Sequence, residues 1–168
     1  MSATPPTLMG IVNVTPDSFS DGGQFDNTER AVEHSLRLME EGAHILDIGG
    51  ESTRPGAEAV PVQTELDRVI PVIEVLSGQL DEAVRVSIDT RKPDVAQAAI
   101  KAGAHIWNDI SALTYREESV AMAAALQVPV ILMHARGDPR TMQDNPSYAD
   151  VVLEVRDFLV SRMEACVQ

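Results

Sequence analysis

Five times along this chain a short apolar run is followed by a segment of helical periodicity, an alternation that leaves few architectures open. Leu8 to Val14 is the first run, closed by polar Asn13 and the breaker Thr15-Pro16-Asp17, and it reads as a buried strand. After a loop rich in Ser, Asp and Gly, Asp26 and Glu29 stand at capping-box spacing, and Val32, Leu36 and Met39 recur at helical intervals up to Gly42. Ile45 to Ile48 is the second strand, ending at Gly49-Gly50. A turn-rich stretch from Gly50 to Val62 leads to a helix marked by Leu66, Val69, Ile70, Ile73 and Leu76, which Pro71 is expected to kink. The third strand spans Val84 to Asp89. Its helix carries Pro93 early, then Val95, Ala98, Ala99 and Ala102, and stops at Gly103. Ile106 to Asp109 and Val128 to Met133 are the fourth and fifth strands, separated by an alanine-rich helix over Glu117 to Leu126. A Gly/Pro-rich loop from His134 to Pro146 precedes a last helix with the stripe Val151, Val152, Val155, Phe158, Leu159 and Met163.

Near-continuous apolar strands alternating with helices argue for a parallel sheet covered by helices on at least one face, so the fold class is α/β. Two architectures fit: an open doubly wound sheet, which five units complete, and a (β/α)₈ barrel, which they do not. Strands starting near residues 8, 44, 84, 106 and 130 repeat every roughly 30 residues, and eight such units need about 250. In a barrel reading the 168 residues are therefore a partial barrel of about five βα units, a single domain over residues 1–168 truncated at its C-terminus.

With 13 Lys+Arg against 26 Asp+Glu the net charge is −13, a field that repels phosphate backbones and anionic lipid and argues against nucleic-acid and membrane partners. A small anionic ligand stays compatible, because a few local donors outweigh a distant, screened field. The single cysteine, Cys166, allows neither an internal disulfide nor a cysteine zinc cluster. The start Met1-Ser2-Ala3-Thr4-Pro5-Pro6 has no basic region or apolar stretch of a signal peptide, and no apolar run reaches the length of a membrane span. A cytoplasmic location is the expectation.

Each strand delivers polar residues at or just past its C-terminal end: Asn13, Asp47 with Glu51, Asp89, Asn108 with Asp109, and His134. In both architectures that edge is where ligands bind. Any one of these residues would serve equally as a turn or cap group; the whole set is harder to explain so. Amides and hydroxyls dominate the neighbourhood, which suits holding a polar heterocycle or a phosphate. No dinucleotide or P-loop glycine signature is present. The segment Glu51-Ser52-Thr53-Arg54-Pro55-Gly56 adds a guanidinium beside a hydroxyl, a pairing suited to forked recognition of phosphate.

Met9-Gly10-Ile11-Val12-Asn13-Val14-Thr15-Pro16-Asp17-Ser18-Phe19-Ser20-Asp21-Gly22-Gly23 and Asp47-Ile48-Gly49-Gly50-Glu51-Ser52-Thr53-Arg54-Pro55-Gly56 resemble the two signature segments of the dihydropteroate synthases. Ser87-Ile88-Asp89-Thr90-Arg91-Lys92-Pro93, Asn108-Asp109-Ile110, Leu132-Met133-His134 and Met142-Gln143-Asp144-Asn145-Pro146-Ser147-Tyr148 fall where later motifs of that family fall. Ala135 departs from the methionine usual after that histidine. The resemblance runs from about residue 7 to the end.

It implies a (β/α)₈ barrel and the condensation of p-aminobenzoate with 6-hydroxymethyl-dihydropterin pyrophosphate, releasing pyrophosphate, in folate synthesis. By resemblance Asp89, Asn108 and Met133 are the pterin contacts. Asn13 belongs to the pyrophosphate and Mg²⁺ region, and Thr53 and Arg54 to a second loop over it. Asp21 lies near the developing cation or the metal, and Phe19 and Pro55 form part of the p-aminobenzoate pocket, which also accepts sulfonamides. A core or capping role for His134 stands beside ligand contact. The family's motifs on strands six to eight are absent, so weak pterin binding and poor turnover are expected of this chain, and the homodimer of the family forms through elements that it lacks. A methyltetrahydrofolate-dependent methyltransferase domain, which shares the Asp89 and Asn108 logic but does not need the two loops, and a non-catalytic fragment are the other readings.

Overall fold

A computed structural model describes residues 5–15, 24–52, 59–81, 83–137 and 145–167, and of residues 24–26 the backbone alone. The order is β1 (Met9–Asn13), α1 (Gln24–Glu40), β2 (Ile45–Gly49), α2 (Val62–Ser77), β3 (Arg85–Asp89), α3 (Pro93–Ala102), β4 (Ile106–Asp109), α4 (Ser119–Leu126), β5 (Val130–Leu132) and α5 (Val151–Val167). The strands are all parallel and lie in sequence order, β1-β2-β3-β4-β5. A doubly wound sheet reverses direction part-way, and this sheet does not. Right-handed crossovers that always step the same way leave every helix on the same face, and α1 packs on α2, α2 on α3, α3 on α4 and α4 on α5. The winding is that of a barrel wall.

One face of the sheet carries the core. Val12, Leu46, Ile48, Val86, Ile88 and Trp107 are fully buried beneath helix residues such as Val69, Val72, Ile73, Leu76, Val95, Ala96 and Ala99. Burying that much aliphatic surface, at about 25 cal/mol per Å², is what holds helices and sheet together. The other face presents Ile11, Asn13, Asp47, Gly49, Ser87, Asp89, Asn108 and Ile131, related by the strand register Asn13↔Gly49↔Asp89↔Asn108↔Ile131. Ile11 is 62% exposed there.

Local chemistry accounts for most element ends, and several expectations are corrected. Pro93 opens α3, and Gly103 closes it in the left-handed region at φ 116°. Helix α1 begins at Gln24, so Asp26 lies inside it and not at its cap. Helix α2 continues through Pro71. The buried stripe of α2 is Glu65, Val69, Val72, Ile73 and Leu76, with Glu65 and Val72 in place of the expected Leu66 and Ile70, because Glu65 finds ionic partners below. Glu117 and Glu118 precede α4, which starts at Ser119, and β5 is only Val130–Leu132. In β1 Val12 alone is buried, since one face of the strand is open. The stripe on α5 is not buried either: no α5 residue is fully covered, and Val152 is 73% exposed, because among the described residues α5 packs on α4 more than on any other helix.

Candidate functional site

The C-terminal ends of β2, β3 and β4 bring Asp47, Ser87, Asp89 and Asn108 onto the open face of the sheet. This follows from the two-residue period of a strand: Asp47 and Gly49, Ser87 and Asp89, and Asn108 point to the side opposite the aliphatic core. Asn108 Nδ2 donates to Asp47 Oδ2 at 2.9 Å. The cluster is otherwise short of partners. Asp47 Oδ1, Ser87 Oγ and Asp89 Oδ1 are buried and have no hydrogen-bond partner among the described residues. Leaving such groups unpaired costs about 1–3 kcal/mol each, so three together mark a surface complementary to a polar ligand rather than one built for stability.

Burial raises the carboxyl of Asp47, moderated by Ser87 and Asn108 beside it, while Ser87 Oγ meets no atom at hydrogen-bonding geometry. Asp89 is pushed up to about 7 by burial and by the surrounding charges of Asp47, Glu65, Asp109 and Glu51. A carboxyl poised there accepts hydrogen bonds as the anion and donates one as the acid. Gly49 leaves room beside it: a Cβ at that position would stand 3.4 Å from Asp89 Oδ2 and 3.7 Å from Asn13 Oδ1. Asn13, exposed at the end of β1, thus looks across Gly49 toward Asp89. Met133, 39% exposed, follows β5 at the far side and donates its backbone N–H to Asp109 O at 3.3 Å.

Of the expected site residues, Asn13, Asp89, Asn108 and Met133 all lie at this strand edge, and Asp89 and Asn108 are register neighbours. Phe19, Asp21, Thr53, Arg54 and Pro55 lie outside the described residues. Asp109 belongs to the opposite face and caps the turn after β4: its carboxylate accepts from Ser111 N and Oγ, both at 2.7 Å, and from Leu113 N at 2.8 Å. Burial raises its carboxyl too. His134 packs its ring against Phe158 at 5.0 Å, edge-on, and against Tyr148 at 5.9 Å, tying the segment after β5 to α5.

Sequence reasoning set Asp47 among the polar strand-end residues without giving it a ligand contact and passed over Ser87, although their i, i+2 spacing to Gly49 and Asp89 was the available signal. It also missed a buried ionic group behind the edge, formed by Glu51, Glu65, Thr90, Arg91 and Lys92. The signal there was an acid, Glu65, standing four residues before Val69 on the buried stripe of a helix. No group of three or more His, Cys, Asp or Glu able to hold a metal is present among the described residues. None of the helices is long and apolar enough to cross a membrane, again among the described residues.

A barrel-wound sheet with polar, unpartnered groups at its C-terminal edge defines a ligand-binding (β/α) protein, and comparison with known proteins specifies which. Residues 9–168 match the family described as pterin binding enzyme, and the chain belongs to that family. It is 48% identical over 157 residues to the dihydropteroate synthase of a Synechocystis strain, covering 94% of this chain and 54% of that one. It is likewise similar to the Xanthomonas albilineans dihydropteroate synthase solved with 4-aminobenzoic acid, at 57% identity and a TM-score of 0.86 over 96% of this chain and 56% of that one. The same enzyme in complex with 7,8-dihydropteroate gives 52% identity and a TM-score of 0.81 over 96% and 55%. The chain spans about half the length of the relatives it matches, and the five strands are consecutive units of their (β/α)₈ barrel.

Proposed function

We propose that this chain carries the pterin-binding part of a dihydropteroate synthase, which condenses 6-hydroxymethyl-dihydropterin pyrophosphate with p-aminobenzoate to give dihydropteroate and pyrophosphate. The observation that carries the reading is the set of buried oxygens of Asp47, Ser87 and Asp89 that have no partner among the described residues, beside the Asn108 amide. A pterin edge offers an amino group and ring nitrogens in a row, and carboxylates and an amide on adjacent strands can read it. Met133 gives a soft, polarisable contact for the ring. The likeness to synthases solved with 4-aminobenzoic acid and with 7,8-dihydropteroate supports the same substrates here.

In this reaction the arylamine nitrogen attacks the pterin methylene, the C–O bond to pyrophosphate breaks, the leaving group takes the electron pair, and the amine loses a proton. Asp89 and Asn108 hold the ring so that its methylene faces the strand edge, where Asn13 stands. The roles proposed for the remaining residues rest on the family resemblance: Thr53 and Arg54 would bind the pyrophosphate, Asp21 would act near the developing charge, and Phe19 and Pro55 would contact p-aminobenzoate. Mg²⁺ fits this donor set because it accepts one or two protein oxygens and takes the rest from substrate phosphates and water; the exposed Asn13 amide oxygen is the described candidate. When bound, the ion neutralises charge on the departing pyrophosphate. The family resemblance also implies a cytoplasmic homodimer, which sedimentation and cell fractionation test.

Calorimetry with the pterin pyrophosphate, with and without Mg²⁺ and p-aminobenzoate, tests the reading. Metal-dependent binding that is lost in Asp89→Ala supports it. Metal-indifferent pterin binding instead points to the methyltetrahydrofolate-dependent methyltransferases, and absence of binding to a non-catalytic chain.

A further inference from the structure

Asn108 and Asp47 meet although their strands do not touch. Asn108 is on β4 and Asp47 on β2, with β3 paired to both. Adjacent strands lie about 4.8 Å apart, so the Asn108 side chain crosses the width of β3 to bring Nδ2 within 2.9 Å of Asp47 Oδ2. The β3 residue beside Asp47 is Ser87, small enough to leave that path open. The backbone of Asn108 is already fixed. Its carbonyl accepts the N–H of Thr90 at 3.0 Å, and Thr90 O in turn accepts Trp107 Nε1 at 2.7 Å. What remains to be set is the turn of the amide about its last bond.

An amide has a donor end and an acceptor end, and a carboxylate only accepts. Burial raises the Asp47 carboxyl, and the bonds it accepts favour the anion; the anion admits the amide nitrogen and refuses the oxygen. With Nδ2 drawn to Asp47, which is 4% exposed, the planar amide turns Oδ1 the other way, toward the mouth of the open face. There it stands beside Asp89, the register partner of Asn108, whose Oδ1 has no hydrogen-bond partner among the described residues. The strand edge thus offers an amide oxygen and a carboxylate oxygen side by side. Two adjacent acceptors fit a ligand edge with two adjacent donors, such as an amino group next to a ring N–H, and repel one with a carbonyl in the amino position.

We propose that Asp47 is a positioning residue that sets ligand specificity through Asn108: by holding Nδ2 it presents Oδ1 to the ligand and so selects an amino-substituted heterocycle over its oxo counterpart. This deepens the pterin reading above and rests on it for the ligand, while the orientation of Asn108 stands on its own contact with Asp47.

Asp47→Asn keeps the size but replaces an obligate acceptor by a group that donates or accepts, so the Asn108 amide can turn either way. Calorimetry on the full chain with pterin and with its 2,4-dioxo counterpart reads the outcome. The unaltered chain is expected to favour pterin about a hundredfold or more, and Asp47→Asn to cut that preference about tenfold, chiefly by tightening the dioxo compound, a gain that mere loosening of the site does not give. In an Asn108→Ala background the same substitution should change the preference by less than about twofold, since the residue it acts through is gone. Asp47→Ala, which leaves the amide equally unheld, should give the same pattern if Asp47→Asn does not fold. A preference that neither variant alters, or one that Asp47→Asn alters as much without Asn108, overturns the proposal alone. If the unaltered chain binds neither compound, the pterin reading fails and takes the specificity role with it.

Discussion

Asp89 has a carboxyl whose ordinary value is far below neutrality and whose value here is about 7. A raised folded value means that the folded protein binds the proton more tightly, so the stability this group contributes is present in acid and lost as pH rises from about 4 to about 7. Asp89→Asn, uncharged at every pH, should therefore be stabilised against urea relative to the parent at pH 8, by of the order of 2 kcal/mol, with the gain vanishing near pH 4. The same substitution should weaken pterin binding, since the anion that accepts from the ligand is gone. His105 behaves in the opposite sense. Burial first, then the nearby Arg85 charge, lower it, and its Nδ1 accepts the N–H of Val86 at 3.1 Å. Its contribution is present above its unfolded value and lost as pH falls through the lower folded one, so His105→Gln should flatten the loss of urea midpoint between about pH 7 and about pH 5.

The site depends on where α2 meets the end of β2. A Cβ at Gly50 would stand 2.8 Å from Val69 Cγ1, 3.0 Å from Glu65 Cγ and 3.2 Å from the Glu65 carbonyl oxygen. Part of that obstruction is backbone and does not yield, so Gly50→Ala should cost about 1–3 kcal/mol in chemical unfolding and disturb the Glu65 end of the ionic group. At Gly49, one residue earlier, a Cβ would meet Asp89 and Asn13 only at ordinary contact distances of 3.4 to 3.7 Å, and Gly49→Val should keep the fold while filling the gap between them. Calorimetry should then find pterin binding abolished at nearly unchanged unfolding midpoint. The repeat of strand and helix was legible because apolar periodicity is a local property. The buried stripe of α2 was not, since it is settled by partners far along the chain: Glu65 belongs on the buried side because Lys92 and Thr90 await it.

Across the whole molecule a net charge of −13 surrounds a site expected to take a pyrophosphate ester. Without a divalent cation the field opposes binding, so raising monovalent salt from about 0.05 to about 0.3 M should tighten binding of the pterin pyrophosphate by screening repulsion. With Mg²⁺ saturating, that salt dependence should shrink, and titration calorimetry at the two ionic strengths checks both. Composition and charge were readable directly, as were the α/β class, the five units and the polar residues at the strand ends. Each follows from nearest-neighbour chemistry and from the period of strand and helix. Tertiary structure alone decided that the winding never reverses, which removed the doubly wound alternative. It decided as well that Asp109 serves a turn while Asp47 and Ser87 share the open face, and that the Glu51 carboxylate meets Arg91 and Lys92. Pairing register and burial are contacts between residues tens of positions apart, and no local pattern in a single chain encodes which of several acids will meet the cation, the turn or the ligand.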